Sequence, residues 1–217
     1  MEKILSRWHR EEVVARVLDD ARLLKPGGER KLVTVLFADL CGFTRFSESV
    51  PPEEVMETLN QTFSRLTSSV GGNRGTFDKY VGDCLMAFYG PPISFGNDAL
   101  NAVRSAAEMQ QAFRELKAQW GDGPRARLGL AIGLNSGEAI VGNVGSEKLM
   151  EYTVIGDVVN VAARLQEQAE DGQILFGEST YSLVSRVAVA KKCGETDLKG
   201  RAKPVPVYEL VRLFHPA

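Results

Sequence analysis

Three short apolar runs in the first half of the chain have the residue types of β-strands. The run LVTVLFA, within residues 31–40, is rich in β-branched and aromatic side chains, which favour extended backbone. Residues 75–81 and 84–89 form two further runs on either side of Gly82 and Asp83. Because a glycine beside a short polar residue favours a tight turn, these two runs predict a β-hairpin.

Two longer stretches between these runs have helical spacing. Prolines and acids open the first at Pro51, and it is predicted to run to about Val70, where Gly71 and Gly72 end it. The second covers about 97–119, and a strand is predicted after it. The resulting order, β-α-β-β-α-β, is that of the ferredoxin-like split motif. The predicted fold class is therefore α+β, with a ferredoxin-like core.

The strand that completes this core is predicted at 126–134. A C-terminal extension follows it. The segment SGEAIVGNVGSEKLMEYTVIG predicts two short β pieces around a polar tip at 145–149, and a helix is predicted to begin at about Asp157. Further short strands are predicted at 173–176, 187–191 and 205–212.

An amphipathic helix is predicted at 4–24, before this core. Its apolar side chains recur three and four residues apart, and Pro26 and Gly27 end the pattern. Such a stripe must pack on something, either on the folded domain or on a second copy of itself as a short coiled coil. Residues 1–29 are therefore predicted to be a helix and linker.

Composition excludes several function classes. The chain has 217 residues, of which 44% are hydrophobic and 25% are charged, as in an ordinary globular protein. A net charge of −2, with Lys and Arg spread along the chain, argues against nucleic acid or an anionic membrane as a partner. No apolar run approaches the ~18 residues of a membrane span.

Cysteine and histidine usage narrows the chemistry further. Cys41, Cys84 and Cys193 form no CxxC pair, which fits a reducing, cytoplasmic setting. His9 and His215, near opposite ends of the chain, are the only histidines. This argues against a histidine-ligated zinc site or a Ser-His triad inside the domain.

Two aspartates are the leading candidates for a metal site. Asp39 and Asp83 each stand beside a β-like run and a glycine, and the split fold would make them neighbours. Two ionised carboxylates side by side repel each other unless a cation lies between them, and Mg²⁺ or Mn²⁺ is the natural choice for oxygen ligands. The alternative is that each aspartate only makes a turn.

The segment CGFT, residues 41–44, follows Asp39 directly. Gly42 allows the backbone to bend, and successive N–H groups at the start of a helix can hold a phosphate. An ordinary entry into a helix is the alternative interpretation.

The segment DVVNVAARL carries Asn160 and Arg164 four residues apart, so both lie on one helix face, distinct from the stripe of Val161 and Leu165. The guanidinium of an arginine suits a phosphoryl oxygen. The small apolar residues around them predict that much of this helix is buried, although a solvated face is the alternative.

The motifs FADLCGFT, DKYVGD and EYTVIGDVVNVAARL, in this order and spacing, resemble the catalytic domain of class III nucleotidyl cyclases. The resemblance covers about residues 30–212 and identifies 30–217 as the catalytic domain. It implies the class III cyclase fold and a homodimer in which two chains, paired head to tail, share each active site. It also implies two Mg²⁺ or Mn²⁺ ions in each site.

The resemblance gives one chain the metal and phosphate residues. Asp39 and Asp83 match the metal-binding aspartates, and the backbone at Leu40 would also contact metal. The phosphates would be contacted by Gly42, Phe43 and Thr44, and their terminal groups by Lys199. Ala131 departs from the pattern, because some members have a phosphate-binding arginine at that place.

The resemblance gives the partner chain the remaining roles. Asn160 matches the residue that orients the ribose, and Arg164 matches the one that stabilises charge on the α-phosphate. Lys79 and Thr153 match the purine-selecting positions, where Lys79 suits the N1 acceptor of adenine and Thr153 its 6-amino donor. Read alone, without the resemblance, either residue would more often be structural than functional.

The expected function is that of an adenylyl cyclase, a phosphorus-oxygen lyase that converts ATP to 3′,5′-cyclic AMP and pyrophosphate. Thr153 resembles the soluble, bicarbonate-responsive branch, which makes bicarbonate a candidate regulator. A guanylyl cyclase and a non-catalytic nucleotide-binding regulatory domain are the alternatives; Lys79 argues against the first, and the complete set of site residues argues against the second.

Overall fold

The computed structural model describes residues 27–146, 149–196 and 204–214. The helix predicted at 4–24 and Lys199 lie outside these residues. In chain order the elements are β1 (Gly27–Cys41), α1 (Phe43–Ser49), α2 (Pro52–Gly72), β2 (Thr76–Val81), β3 (Cys84–Tyr89), α3 (Asp98–Trp120), a 3₁₀ helix (Pro124–Arg127), β4 (Gly129–Ser146), β5 (Leu149–Ile155), α4 (Asp157–Gln168), β6 (Ile174–Gly177), α5 (Glu178–Val184), β7 (Ala188–Thr196) and β8 (Val205–Leu213).

The described strands form one sheet in the order β2-β3-β1-β4-β6-β8-β7, and β5 pairs with β4. β1 lies antiparallel between β3 and β4, and β6 runs parallel to β4. The first six major elements follow the β-α-β-β-α-β order, so the predicted α+β class with a ferredoxin-like core and a C-terminal extension is confirmed.

Alternate residues of β1 are buried on opposite faces of the sheet. Leu36, Ala38 and Leu40 pack in the larger core, which includes residues of α2 and α3. Val33 and Val35 pack in a second core with Val154 of β5 and with residues of α4. Asp39 continues the odd-numbered series of Val33 and Val35, so its side chain projects from the face of the sheet on which α4 packs.

The element boundaries differ from the predicted ones most clearly around β4 and α5. β4 continues without a break from Gly129 to Ser146, although the sequence predicted one strand at 126–134 and a separate piece after it. The predicted start at 126 was wrong, because Pro124 opens a short 3₁₀ helix there. The seven-residue helix α5 was not predicted.

Helix α4 lies unusually close to the sheet at Gly133 of β4. A Cβ atom at this position would overlap the backbone nitrogen of Gln166 and would lie 2.5 Å from the carbonyl oxygen of Ala162. Only glycine allows the two backbones to approach this closely. Gly133 therefore sets the position of α4, and with it the residues that α4 presents to the end of β1.

Among the described residues, none of the helices combines the length and the apolar character that crossing a bilayer requires.

We expect Gly133→Ala to lower the free energy of unfolding by about 2–3 kcal/mol, because the new methyl group meets backbone atoms that cannot move aside independently. For a domain of this size the melting temperature should fall by about 5–10 °C, measured by circular dichroism. Gly123→Ala is the matched control, since nothing lies within 4 Å of its Cβ position. An unchanged melting temperature for Gly133→Ala would contradict the close approach.

Candidate active site

The end of β1 and the tip of the β2–β3 hairpin meet at one edge of the sheet. Ala38 of β1 is paired with Leu85 of β3, so Asp39 and Asp83 lie one and two residues beyond this pair. Gly82 adopts a positive φ of 65° in the turn, which turns the chain directly before Asp83. The structure thus brings together the two aspartates that the sequence analysis proposed as neighbours.

The two carboxylates destabilise each other's charge. Burial raises the pKa of Asp39 to about 6, and the negative charge of Asp83 adds to this rise. Burial also raises the pKa of Asp83. The side chain of Gln166 donates a hydrogen bond to Oδ2 of Asp39, but at 3.4 Å it is long and offsets little of the effect. The pair is therefore deficient in positive charge.

Cys41 and Cys84 lie beside this pair, and their thiols are subject to the same negative charge. Burial raises the pKa of Cys84 to about 12, and Asp39 and Asp83 contribute to the shift. Burial and nearby acids likewise raise the pKa of Cys41 to about 11. Because the thiolate is the metal-binding form of cysteine, these raised pKa values favour the oxygen atoms of Asp39 and Asp83 as donors.

Two partly buried carboxylates that form no ion pair with a described residue fit a hard divalent ion such as Mg²⁺ or Mn²⁺. Within the parts of the chain that the structure describes, no group of three or more His, Cys, Asp and Glu side chains converges on such a site. Asp39 and Asp83 would therefore bind metal together with other oxygen donors, of which the backbone carbonyl of Leu40, water and substrate phosphates are candidates.

The segment after β1 turns at Gly42, which has a φ of 80° and begins helix α1. A non-glycine residue would be strained in this left-handed conformation. No side chain caps the N-terminus of α1, so its first backbone N–H groups, including those of Phe43 and Thr44, are not occupied by a capping side chain. This placement is compatible with the proposed phosphate contacts.

Helix α4 carries Asn160 and Arg164 on a face that does not pack in the core. Asn160 is exposed and Arg164 is half-buried, whereas the buried face consists of Val158, Val161, Ala162 and Leu165. The prediction that much of the helix is buried therefore holds for one face and is wrong for Asn160. Neither Asn160 nor Arg164 makes a hydrogen bond or ion pair with another described residue.

The orientation of α4 separates Arg164 from the aspartates of its own chain. Gln166 points at Asp39. At 100° per residue, Arg164 lies about 200° around the helix from Gln166 and so faces away from that carboxylate. Arg164 therefore does not contact the aspartate pair of its own chain.

Lys79 and Thr153 lie together but apart from the aspartate pair. Lys79 of β2 forms an ion pair with Glu151 of β5, and Thr153, two residues further along β5, donates a 2.7 Å hydrogen bond to Oδ2 of Asp78. No hydrogen bond or ion pair between described residues joins this group to Asp39 or Asp83. Lys79 and Thr153 thus belong to one polar group, and Asp39 and Asp83 to another.

Three residues that contact these groups were not predicted from the sequence: Asp78, Glu151 and Gln166. All three stand within two positions of a predicted site residue. Asp78 precedes Lys79, Glu151 shares a strand face with Thr153, and Gln166 follows Arg164 by two residues. That adjacency was the available signal. Ala131, the departure from the cyclase pattern, is buried in β4 opposite Asp39.

The chain belongs to the family of adenylate and guanylate cyclase catalytic domains, whose family model matches residues 28–211. This is the class III nucleotidyl cyclase domain. The fold agrees with solved members. The adenylyl cyclase CyaB from P. aeruginosa is 37% identical with a TM-score of 0.80, covering 85% of this chain and 96% of that chain. The guanylyl cyclase Cya2 is 36% identical with a TM-score of 0.82, covering 88% and 96%.

Curated relatives are much longer than this chain. Adenylate cyclase 1 of Rhizobium meliloti is 28% identical over 207 residues, which cover 93% of this chain and 30% of that protein. An uncharacterized protein of Mycobacterium tuberculosis is 35% identical over 196 residues, covering 86% and 33%. Solved structures of an adenylyl and a guanylyl cyclase are thus similarly close to this chain.

The raised pKa of Asp39 makes the stability of the metal-free protein depend on pH. The folded state holds a proton on this group up to about pH 6, whereas the unfolded state loses it near pH 4. Stability should therefore fall as pH rises from about 4 to about 6, and the penalty should persist above that range.

We expect Asp39→Asn to remove this penalty. With solvent screening of a partly exposed group, the gain at pH 7.5 should be about 1 kcal/mol, or about 2–4 °C in melting temperature without metal. Added Mn²⁺ should stabilise the wild-type protein but not the variant. The exposed Asp122→Asn is the control for the loss of one charge. Equal stabilisation of wild type and Asp39→Asn by Mn²⁺ would argue against the metal site.

Proposed function

We propose that the chain is the catalytic domain of an adenylyl cyclase that acts as a homodimer. The observation that carries this proposal is the opposed orientation of Gln166 and Arg164 on α4. Each chain holds an aspartate pair that forms no ion pair with a described Lys or Arg, and each presents Arg164, which pairs with no described residue, on the side of α4 away from Gln166. Two copies related by a two-fold axis would complete two identical sites, each with residues from both chains.

In the proposed reaction, the ribose 3′-oxygen of ATP attacks the α-phosphorus, the bond to the β-phosphate oxygen breaks, and pyrophosphate leaves. The proton of the 3′-hydroxyl passes to solvent or to a phosphate oxygen. Arg164 would stabilise the negative charge that develops around the α-phosphorus, and Asn160 would hold the ribose so that its 3′-oxygen lies in line for attack.

Asp39 and Asp83 would hold two Mg²⁺ or Mn²⁺ ions, with the Leu40 carbonyl as a further donor. When bound, the ions supply charge neutralisation and lower the pKa of the attacking hydroxyl. The uncapped N–H groups after Gly42, at Phe43 and Thr44, would contact the phosphates, and Lys199 would contact their terminal groups.

The choice of ATP over GTP rests on Lys79 and Thr153. Lys79 offers only donors, which suit the N1 acceptor of adenine but not the N1–H of guanine. Thr153 would accept from the 6-amino group. The same threonine is the reason to propose bicarbonate as a regulator. The chain spans about a third of the length of the first curated relatives it matches, so the activity and regulation of a longer protein are outside this proposal.

The proposed activity is tested by measuring cyclic nucleotide formed from ATP and from GTP in the presence of Mn²⁺. We expect cyclic AMP as the main product, with bicarbonate raising its rate at fixed pH. Cyclic GMP as the main product would favour a guanylyl cyclase. Binding of ATP without any product would favour a regulatory nucleotide-binding domain.

The shared site is tested with two inactive variants. Arg164→Ala should lower kcat by roughly 10²–10³, by analogy with the loss of one charge-stabilising donor. Asp39→Ala should also be inactive. When the two variants are mixed, heterodimers should regain activity, because one of their two sites draws the intact aspartates from one chain and the intact arginine from the other.

Heterodimer formation in this mixture is checked with two affinity tags. As the matched control, Asp39→Ala mixed with Asp83→Ala should remain inactive, since both substitutions affect the same half of the site. If the first mixture formed heterodimers without regaining activity, the shared-site proposal would be wrong.

A further inference from the structure

The hydroxyl of Thr153 has a single hydrogen, and it donates that hydrogen in a hydrogen bond to Asp78. The threonine side chain is largely buried, with 8% of the residue exposed, and its Oγ1 donates to Oδ2 of Asp78 at 2.7 Å. A carboxylate only accepts hydrogen bonds. The hydroxyl of Thr153 is therefore held with its hydrogen towards Asp78 and its remaining lone pairs towards any ligand.

An irregularity in β2 makes this contact possible. The register between β2 and β3 shifts between Phe77 and Lys79, so that Asp78 is an extra residue without a partner on β3. Neighbouring residues in a regular strand point to opposite faces, but a bulge allows both to point the same way. Asp78 and Lys79 both reach β5, where they contact Thr153 and Glu151.

We propose that Asp78 is a positioning residue for substrate choice: it fixes the Thr153 hydroxyl as an acceptor and thereby favours a purine with a 6-amino group over one with a 6-oxo group. This inference rests on the proposed function, because it assumes that Thr153 faces the purine base. It adds a residue that acts on the base only through Thr153.

Without Asp78, the Thr153 hydroxyl could rotate and serve either purine type. A free hydroxyl accepts from a 6-amino group or donates to a 6-oxo group with similar ease. When its hydrogen is donated to Asp78, the Thr153 hydroxyl presents only lone pairs, which repel the lone pairs of a 6-oxo group. Discrimination of this kind depends on polar groups whose orientation is fixed before the substrate binds.

Lys79 is held in a comparable way. Its hydrogen bond to Glu151 raises its pKa, and Asp78 contributes to the rise, so the ammonium group stays charged. One of its three hydrogens goes to Glu151, which leaves two for the ring N1 acceptor. The two carboxylates thus fix one acceptor and one donor beside each other, in the pattern complementary to adenine.

The test is the substrate preference of Asp78→Asn, measured as kcat/KM for ATP, for inosine triphosphate and for purine riboside triphosphate, which has hydrogen at position 6. The asparagine amide can donate to Thr153, which turns the hydroxyl hydrogen towards the base. We expect the preference for ATP over purine riboside triphosphate to fall about tenfold, and the rate with inosine triphosphate to rise relative to ATP.

Three comparisons separate positioning from a merely structural role. Thr153→Val should lose the same preference, and adding Asp78→Asn to Thr153→Val should change it no further. Asp122→Asn, an exposed charge change elsewhere, should keep the wild-type ratio. Asp78→Ala is a second variant in case the asparagine lowers the melting temperature, and its ratio should fall in the same direction.

An equal loss of rate with all three substrates would overturn the inference, since it would mean that Asp78 only supports the fold. An unchanged ratio in both Asp78 variants would overturn it as well. If the wild-type protein cyclises none of the three nucleotides, the proposed function fails. The inference is then tested separately by the same ratio in equilibrium dissociation constants, where loss of the ATP preference supports it and its retention overturns it.

Discussion

The contact between α4 and the central sheet at Gly133 fixes the geometry on which the rest of the site depends. Because a glycine at this point lets the helix approach β4 backbone to backbone, the rotation of α4 about its axis is set. Gln166 then faces Asp39, and Asn160 and Arg164 face outward. One packing contact thus divides a single helix into a part that supports its own chain and a part available to another.

The charged side chains are also divided between different parts of the chain. Asp39 and Asp83 place negative charge at the end of β1, and the half-buried Arg164 carries a positive charge that no described residue pairs. The Lys79 and Thr153 group is instead internally paired through Glu151 and Asp78. Asp39, Asp83 and Arg164 therefore have no ion-pair partner among the described residues, whereas Lys79 and Thr153 are held in place by Glu151 and Asp78.

Local patterns in the sequence predicted the element order and the meeting of Asp39 with Asp83, because a strand end and a hairpin tip follow from nearby residues. The contact of Asp78 with Thr153 could not be predicted in this way, since it joins positions 75 residues apart on strands that are not neighbours in the sheet. The unbroken β4 was also missed. In the structure, Gly133 and Gly142 of this strand permit close backbone contacts.

The bulge in β2 has a consequence for how base recognition could change. A substitution at Asp78 or at Lys79 alters one side chain only, so it would change the proposed base recognition gradually. Deletion of a single residue from β2 would restore the regular alternation and send one of the two side chains to the opposite face of the sheet. The proposed base recognition would thus depend on the length of β2 as well as on its side chains, and a change in length would act as a discrete step.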